Sequence, residues 1–156
     1  MGISINNKDL INELKKKEKK VYISLSKGSN LKIKKCFEYF GNKKRLNLIY
    51  TSMSYDPTDL NLKRIIDLKK IFKLPVGYGH HFNKKYPLYL SLFYNPSFYF
   101  IYIKSFLKRN RKYPDDAHAF LTKDLNKLYD DIREVKLILA NKKINTKIKF
   151  IDKIKF

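Results

Sequence analysis

Apolar and polar positions along the chain follow two periods that alternate. Residues 7–20, NKDLINELKKKEKK, place Leu10, Ile11 and Leu14 at helical spacing, a short stripe that buries one side of a helix. Asn7 stands where a cap is needed, and the lysine-rich end suits the negative pole of the helix dipole. VYISLS at 21–26 is short, β-branched and aromatic, and reads as a strand. Ser29 is placed to cap a helix over LKIKKCFEYF, which Gly41 stops. LNLIYTS at 46–52 is a second strand. Thr58 or Asp59 opens a longer helix through Phe72, with Leu62, Ile65, Ile66 and Lys69 on one face, the lysine lending its stem. Residues 75–78 form a third strand, 87–94 a helix with proline in its first turn, and 97–104 a fourth strand. Thr122 opens a last helix whose Leu125, Leu128, Ile132, Val135 and Leu139 share a face.

The four strands are spaced by one strand–helix unit each. That alternation predicts an α/β fold of parallel strands joined by right-handed crossovers. Four such units make half of an eight-fold barrel or a small open sheet, and periodicity does not choose between them. The expected organisation is an N-terminal helix over 1–20, the strand–helix array over 21–141 and a basic tail over 142–156.

Composition adds limits. A chain of 156 residues, 44% hydrophobic and 15% aromatic, builds one domain with a real core and is not a disordered segment. Its one cysteine, Cys36, excludes a disulfide framework and a multi-cysteine zinc site. No N-terminal stretch has the apolar core of a signal peptide. The longest apolar run, 88–103, is broken by Asn95-Pro96 and is short for a bilayer span. A cytoplasmic protein without a membrane span is expected.

The net charge of +21 attracts polyanions by Coulomb steering. It comes, however, from 30 Lys and only 5 Arg, whereas base reading and bidentate phosphate contacts favour arginine. Abundant Ile, Asn, Tyr and Phe accompany the lysines, the mixture that A/T-rich codons produce. The charge is therefore ascribed to codon drift first. A Lys-rich module that binds nucleic acid or anionic surfaces through clusters at 15–20, 32–35 and 142–155 is the alternative.

Functional groups of a strand–helix array sit at the carboxyl ends of strands and in the loops that follow. Those positions hold Ser24, residues 51–56, residues 79–82 with His80 and His81, and residues 104–118 with Asp115, Asp116 and His118. LPVGYGHHF (74–82) resembles the strand of the sialic acid synthase family that ends in V-G-Y-S-D-H-T. Residues 46–72 resemble the family unit ending in C-T-S-x-Y-P-T-P before N-L-x-x-I-x-x-L, and 102–139 resemble I-E-K-H-F-T-L-D, G-P-D and S-L-x-P-x-E-L. VYISLSKGSNLKIKKCFEYFG (21–41) more weakly resembles a unit whose strand reads I-I-S-T-G-M-A. Four pieces in the right order at nearly the right spacing identify the chain, over about 21–139, with the C-terminal half of that family's TIM barrel.

The resemblance implies condensation of phosphoenolpyruvate with an N-acetylated amino sugar and a divalent metal, Mn or Mg. It implies that Ser24 holds phosphoenolpyruvate, that Tyr55 and Asp115 face the sugar, and that His81 is a metal ligand. Departures are clear. Ser105 stands where the family has its second metal histidine, Ile103 where it has a glutamate, and Gly79 where a serine faces the phosphate. His80 is a poor replacement, because adjacent strand residues point to opposite faces. Weak or absent metal binding is therefore expected. Nothing matches the family's N-terminal half barrel, which carries its catalytic lysine, so the catalytic residues are unknown and the chain is expected to be inactive alone. The expected partners are a second copy or a separately encoded N-terminal half, which would cover bare sheet edges.

Overall fold

Four strands, β1 (Val21–Leu25), β2 (Leu46–Thr51), β3 (Val76–Gly79) and β4 (Tyr99–Phe100), form one parallel sheet in chain order in the computed structural model, which describes residues 7–26, 30–105 and 113–140. Helices α2 (Asn30–Phe40), α3 (Arg64–Phe72) and α4 (Tyr86–Ser91) connect successive strands. Helix α1 (Lys8–Lys16) precedes them and α5 (Leu125–Ala140) follows. This is the α/β array that the strand–helix spacing predicts. The basic tail and the Ser29 cap lie outside the described residues.

One face of the sheet carries Leu46, Leu48, Tyr50, Val76 and Tyr78 into a core with Ile33, Phe37 and Phe40 of α2, Ile65 and Leu68 of α3, and Leu88 of α4. Every residue of β2 is buried. A central parallel strand is covered on both faces, which is why β2 is mostly apolar and its two polar residues, Asn47 and Thr51, are buried as well.

The opposite face is not bare, as a half barrel would suggest. Phe98 lies against Gly77, where a Cβ would collide with its ring. It meets Tyr22 of β1 edge-on, with ring centroids 5.2 Å apart. The sheet is thus curved enough for a ring beside β4 to reach β1. The Phe98 ring fits there because residue 77 has no side chain. Tyr22 and Phe100 stay 41% and 43% exposed, so the cover is incomplete.

Three expectations shift. Helix α1 keeps the Asn7 cap, whose Oδ1 accepts from Leu10 N at 3.0 Å, but ends at Lys16. Its last carbonyls, Leu14 and Lys15, accept from Arg45 at 2.9 and 3.2 Å. Helix α3 starts at Arg64, not at Thr58 or Asp59. The Asp56 carboxylate accepts from Thr58 N (2.8 Å) and Thr58 Oγ1 (2.7 Å), which ties Pro57–Asp59 into a separate turn. The fourth strand splits. After β4, the segment β5 (Ile103–Lys104) pairs in parallel with β6 (Phe120–Leu121) in a second sheet. Two residues are too few for a periodic signal, so β6 is invisible in the sequence.

Candidate metal centre

The carboxyl ends of β2 and β3 and the segment before β6 converge on one cluster. His81 follows β3 by two residues, and its neighbour His80 is fixed where His80 N donates to Phe100 O at 2.8 Å. Tyr55 rides on the loop after β2. Short polar turns brace that loop: Asp56 N donates to Ser54 Oγ at 3.0 Å, and Asn61 N donates to Tyr50 Oη at 2.8 Å. Asp115 and His118 share one turn, in which His118 N donates to Asp115 O at 3.3 Å and Asp116 N to Tyr113 O at 3.1 Å. Lys104 Nζ donates to Asp116 O at 2.6 Å and ties that turn to β5.

The side chains meet around Asp115. Its Oδ1 lies 3.3 Å from His118 Nε2 and 3.9 Å from His81 Nε2. The two imidazole rings are 3.8 Å apart at their centroids. Tyr55 Oη is 3.0 Å from His118 Nδ1, and the Tyr55 ring stacks on His81 at 5.9 Å and 15°. Tyr102 meets the His118 ring edge-on at 4.6 Å. His118 is fully enclosed, its side chain 0% exposed, while the Asp115 side chain is 48% exposed. The cluster therefore has a dry wall and an open front.

Burial, with the nearby His81 and Lys104, holds the His118 pKa down, against the opposing pull of Asp115. Burial, reinforced by His118 and His81, brings His80 down to about 4. Both rings are thus held towards the neutral form, in which imidazole can ligate a metal. Cys36 is buried, and burial raises its thiol, so it is a packing residue and not a nucleophile.

His81, Asp115 and His118 each offer one ligand atom, and these atoms lie within 4.8 Å of one another. Donors held about 2.1 Å from one tetrahedral ion stand about 3.4 Å apart, close to the spacing around Asp115. The buried His118 Nε2 makes no well-aligned hydrogen bond, and a metal would satisfy it. Two imidazoles and a carboxylate therefore fit a divalent ion.

Of the sequence expectations, Tyr55, His81 and Asp115 come together here. Ser24 stands apart on β1, two strands from β3 and paired in register with Ile49. It shares the Phe98-covered face with Tyr22 and is exposed. Gly79 leaves a space that Thr51 and Ile49 fill. Sequence reasoning sought the second metal histidine at position 105, and the fold brings His118 instead. The signal available was weak: a histidine three residues after the Asp115 of the G-P-D-like turn.

The family model of the NeuB family matches residues 2–144. No curated protein matches the chain in sequence. Among solved structures, it is similar to the N-acetylneuraminic acid (sialic acid) synthetase of Leptospira borgpetersenii, seen with citrate. The TM-score there is 0.75 at 23% identity, over 92% of this chain and 50% of that one. It is also similar to a protein named spore coat polysaccharide biosynthesis protein E from Chromobacterium violaceum (TM-score 0.76, 14% identity, 94% of this chain and 44% of that one). A spore coat polysaccharide biosynthesis protein of Bacillus subtilis gives TM-score 0.73 at 15% identity, over 95% and 42%. The chain spans about half the length of these structures or less. No helix among the described residues is long and apolar enough to cross a membrane.

Proposed function

The chain belongs to the NeuB family, and from that premise we propose that it is a sialic acid synthase-like protein of sugar biosynthesis whose divalent metal is held by His81, Asp115 and His118. The observation that carries the reading is the arrival of His118 beside His81, with Asp115 3.3 and 3.9 Å from the two rings. Imidazole donors favour Mn or a later first-row ion over Mg, which prefers an all-oxygen shell. When bound, such an ion polarises a substrate oxygen. His118 and His81 supply imidazole nitrogen donors. The half-exposed Asp115 faces the open side, where an amino-sugar hydroxyl can reach its second oxygen. Ser24 is the position assigned to phosphoenolpyruvate.

This chain does not condense the two substrates alone. Condensation needs both held in attack geometry, and here the phosphate-facing serine is Gly79 while nothing corresponds to the lysine-bearing half. The partner this reading calls for is a second copy or a protein that carries the lysine-bearing half. Among the described residues β1 has β2 as its single strand neighbour, which leaves its other edge open to pairing. A cytoplasmic setting goes with this reading.

Titration of the purified chain with Mn²⁺ tests it. One ion is expected to bind per chain, and His81→Ala and His118→Ala are each expected to weaken binding by at least about tenfold. Incubation with Mn²⁺, phosphoenolpyruvate and N-acetylmannosamine is expected to give no sialic acid above the blank. Mn²⁺ binding that His118→Ala leaves unchanged overturns the metal assignment, and product from the lone chain overturns its dependence on a complement.

A further inference from the structure

We propose that Tyr55 is the positioning residue of this centre: its hydroxyl holds His118 at Nδ1 and leaves Nε2 as the nitrogen that meets the metal. The proposal rests on the metal reading above. It assigns Tyr55 a role other than sugar contact, the role its resemblance implied.

The geometry is specific. Tyr55 Oη lies 3.0 Å from Nδ1 of His118, and the opposite nitrogen, Nε2, lies 3.3 Å from Asp115 Oδ1. The Tyr55 ring stacks on the other imidazole, His81, at 5.9 Å and 15°, so one side chain touches both histidines. An imidazole ligates through one lone pair, and its other nitrogen must then carry the proton and donate it to a partner. The usual partners, a carbonyl or a carboxylate, only accept. A phenol both donates and accepts.

Tyr55 can therefore serve His118 in either tautomer. With a proton on Nε2, directed at Asp115, the hydroxyl donates to Nδ1. With Nε2 used as a ligand, the proton sits on Nδ1 and the hydroxyl accepts it. Passing from one state to the other gives the Nε2 proton to Asp115 or water and takes a proton from water onto Nδ1; the hydroxyl turns to accept it, and no ring moves. The loop that carries Tyr55 is held by the Asn61 N–H to Tyr50 Oη bond at 2.8 Å, so the hydroxyl stays in place while its proton turns.

The test uses the full chain, Zn²⁺ alone as a diamagnetic probe, and ¹⁵N-histidine NMR. In the Zn²⁺-loaded wild type, His118 is expected to show coordinated Nε2 and a proton on Nδ1 that is protected from exchange. Tyr55→Phe keeps the ring stacked on His81 and removes the hydroxyl. It is expected to weaken Zn²⁺ about 10- to 100-fold and to lose the protected Nδ1 proton. Coordination of His118 through Nδ1 overturns the proposal. So does a Tyr55→Phe chain that binds Zn²⁺ within about twofold of the wild type. If wild type binds no Zn²⁺, or if His118→Ala binds it equally well, the metal reading fails and this proposal falls with it. If Tyr55→Phe does not fold, the wild-type spectrum alone decides: a protected Nδ1 proton supports the proposal, and a freely exchanging one overturns it.

Discussion

Replacing Gly77 by alanine tests how the curved sheet closes over itself. Gly77 lies under the Phe98 ring, and a Cβ at 77 would strike the ring's Cε2, Cδ2 and Cζ atoms. The ring's room to move is also limited by Tyr22, which it meets edge-on at 5.2 Å. Forcing a methyl into a packed contact costs about 1–3 kcal/mol. Against this, alanine in a strand gains about 0.5–1 kcal/mol over glycine through the unfolded chain. The net expected loss for Gly77→Ala is about 0–2.5 kcal/mol, which at roughly 2–4 °C per kcal/mol lowers Tm by up to about 10 °C.

The decisive comparison is a double-mutant cycle. In a Phe98→Ala background the collision is absent, so Gly77→Ala is expected to stabilise by about 0.5–1 kcal/mol. Phe98 is only part-buried, so its own truncation costs less than the ~3–5 kcal/mol of a core phenylalanine. Urea unfolding followed by tyrosine fluorescence is the assay, since the chain has 12 Tyr and no Trp. If Gly77→Ala costs the same in both backgrounds, within about 0.5 kcal/mol, the ring does not rest on Gly77 and the account of the closed face is wrong.

Arg45→Ala removes the guanidinium that donates to Leu14 O, Lys15 O and Lys19 O at 2.9, 3.2 and 3.0 Å. A loss of about 1–2 kcal/mol is expected, with faster amide exchange confined to α1; unchanged exchange there means the helix is held by its apolar stripe alone. Association is expected at physiological salt, because Tyr22 and Phe100 remain 41% and 43% exposed on edge strands that have one strand neighbour each among the described residues and screening over about 8 Å weakens the repulsion of like charge. Light scattering that reports a monodisperse monomer at high micromolar concentration refutes that expectation.

The sheet was legible because parallel strands buried on both faces are rich in apolar residues, and LNLIYT has Leu46, Leu48, Ile49 and Tyr50 among six buried positions. Helix α3 was partly legible in its face and not in its start. Ile65 packs as the spacing requires, Ile66 and Lys69 are only part-buried, and Leu68, outside the expected face, is buried in their place, while a local competitor decided the boundary. The Asp56 carboxylate sits two residues before Thr58 and takes both its N–H and its hydroxyl. Thr58 therefore receives a cap where it was expected to provide one. The split of the fourth strand was hidden because β5 and β6 are two residues each and are paired only through the fold.

The candidate centre was half legible, and the reason is geometric. Resemblance could name His81, Tyr55 and Asp115, since each sits in a matched motif. It could not name His118, because matching by motif assumes that a lost ligand must be replaced at its own position. A metal constrains donor atoms in space and is indifferent to the strand that presents them. Asp115 and His118 are three residues apart in one turn, so one placement of that turn against β3 delivers both. The same placement buries the His118 ring against Tyr102 and sets its Nδ1 on the Tyr55 hydroxyl. A ring held on both sides in this way is oriented before any ligand arrives, which is what a metal donor requires. Under the proposed metal reading, the turn from 113 to 118 compensates for Ser105 without a histidine at the end of β5.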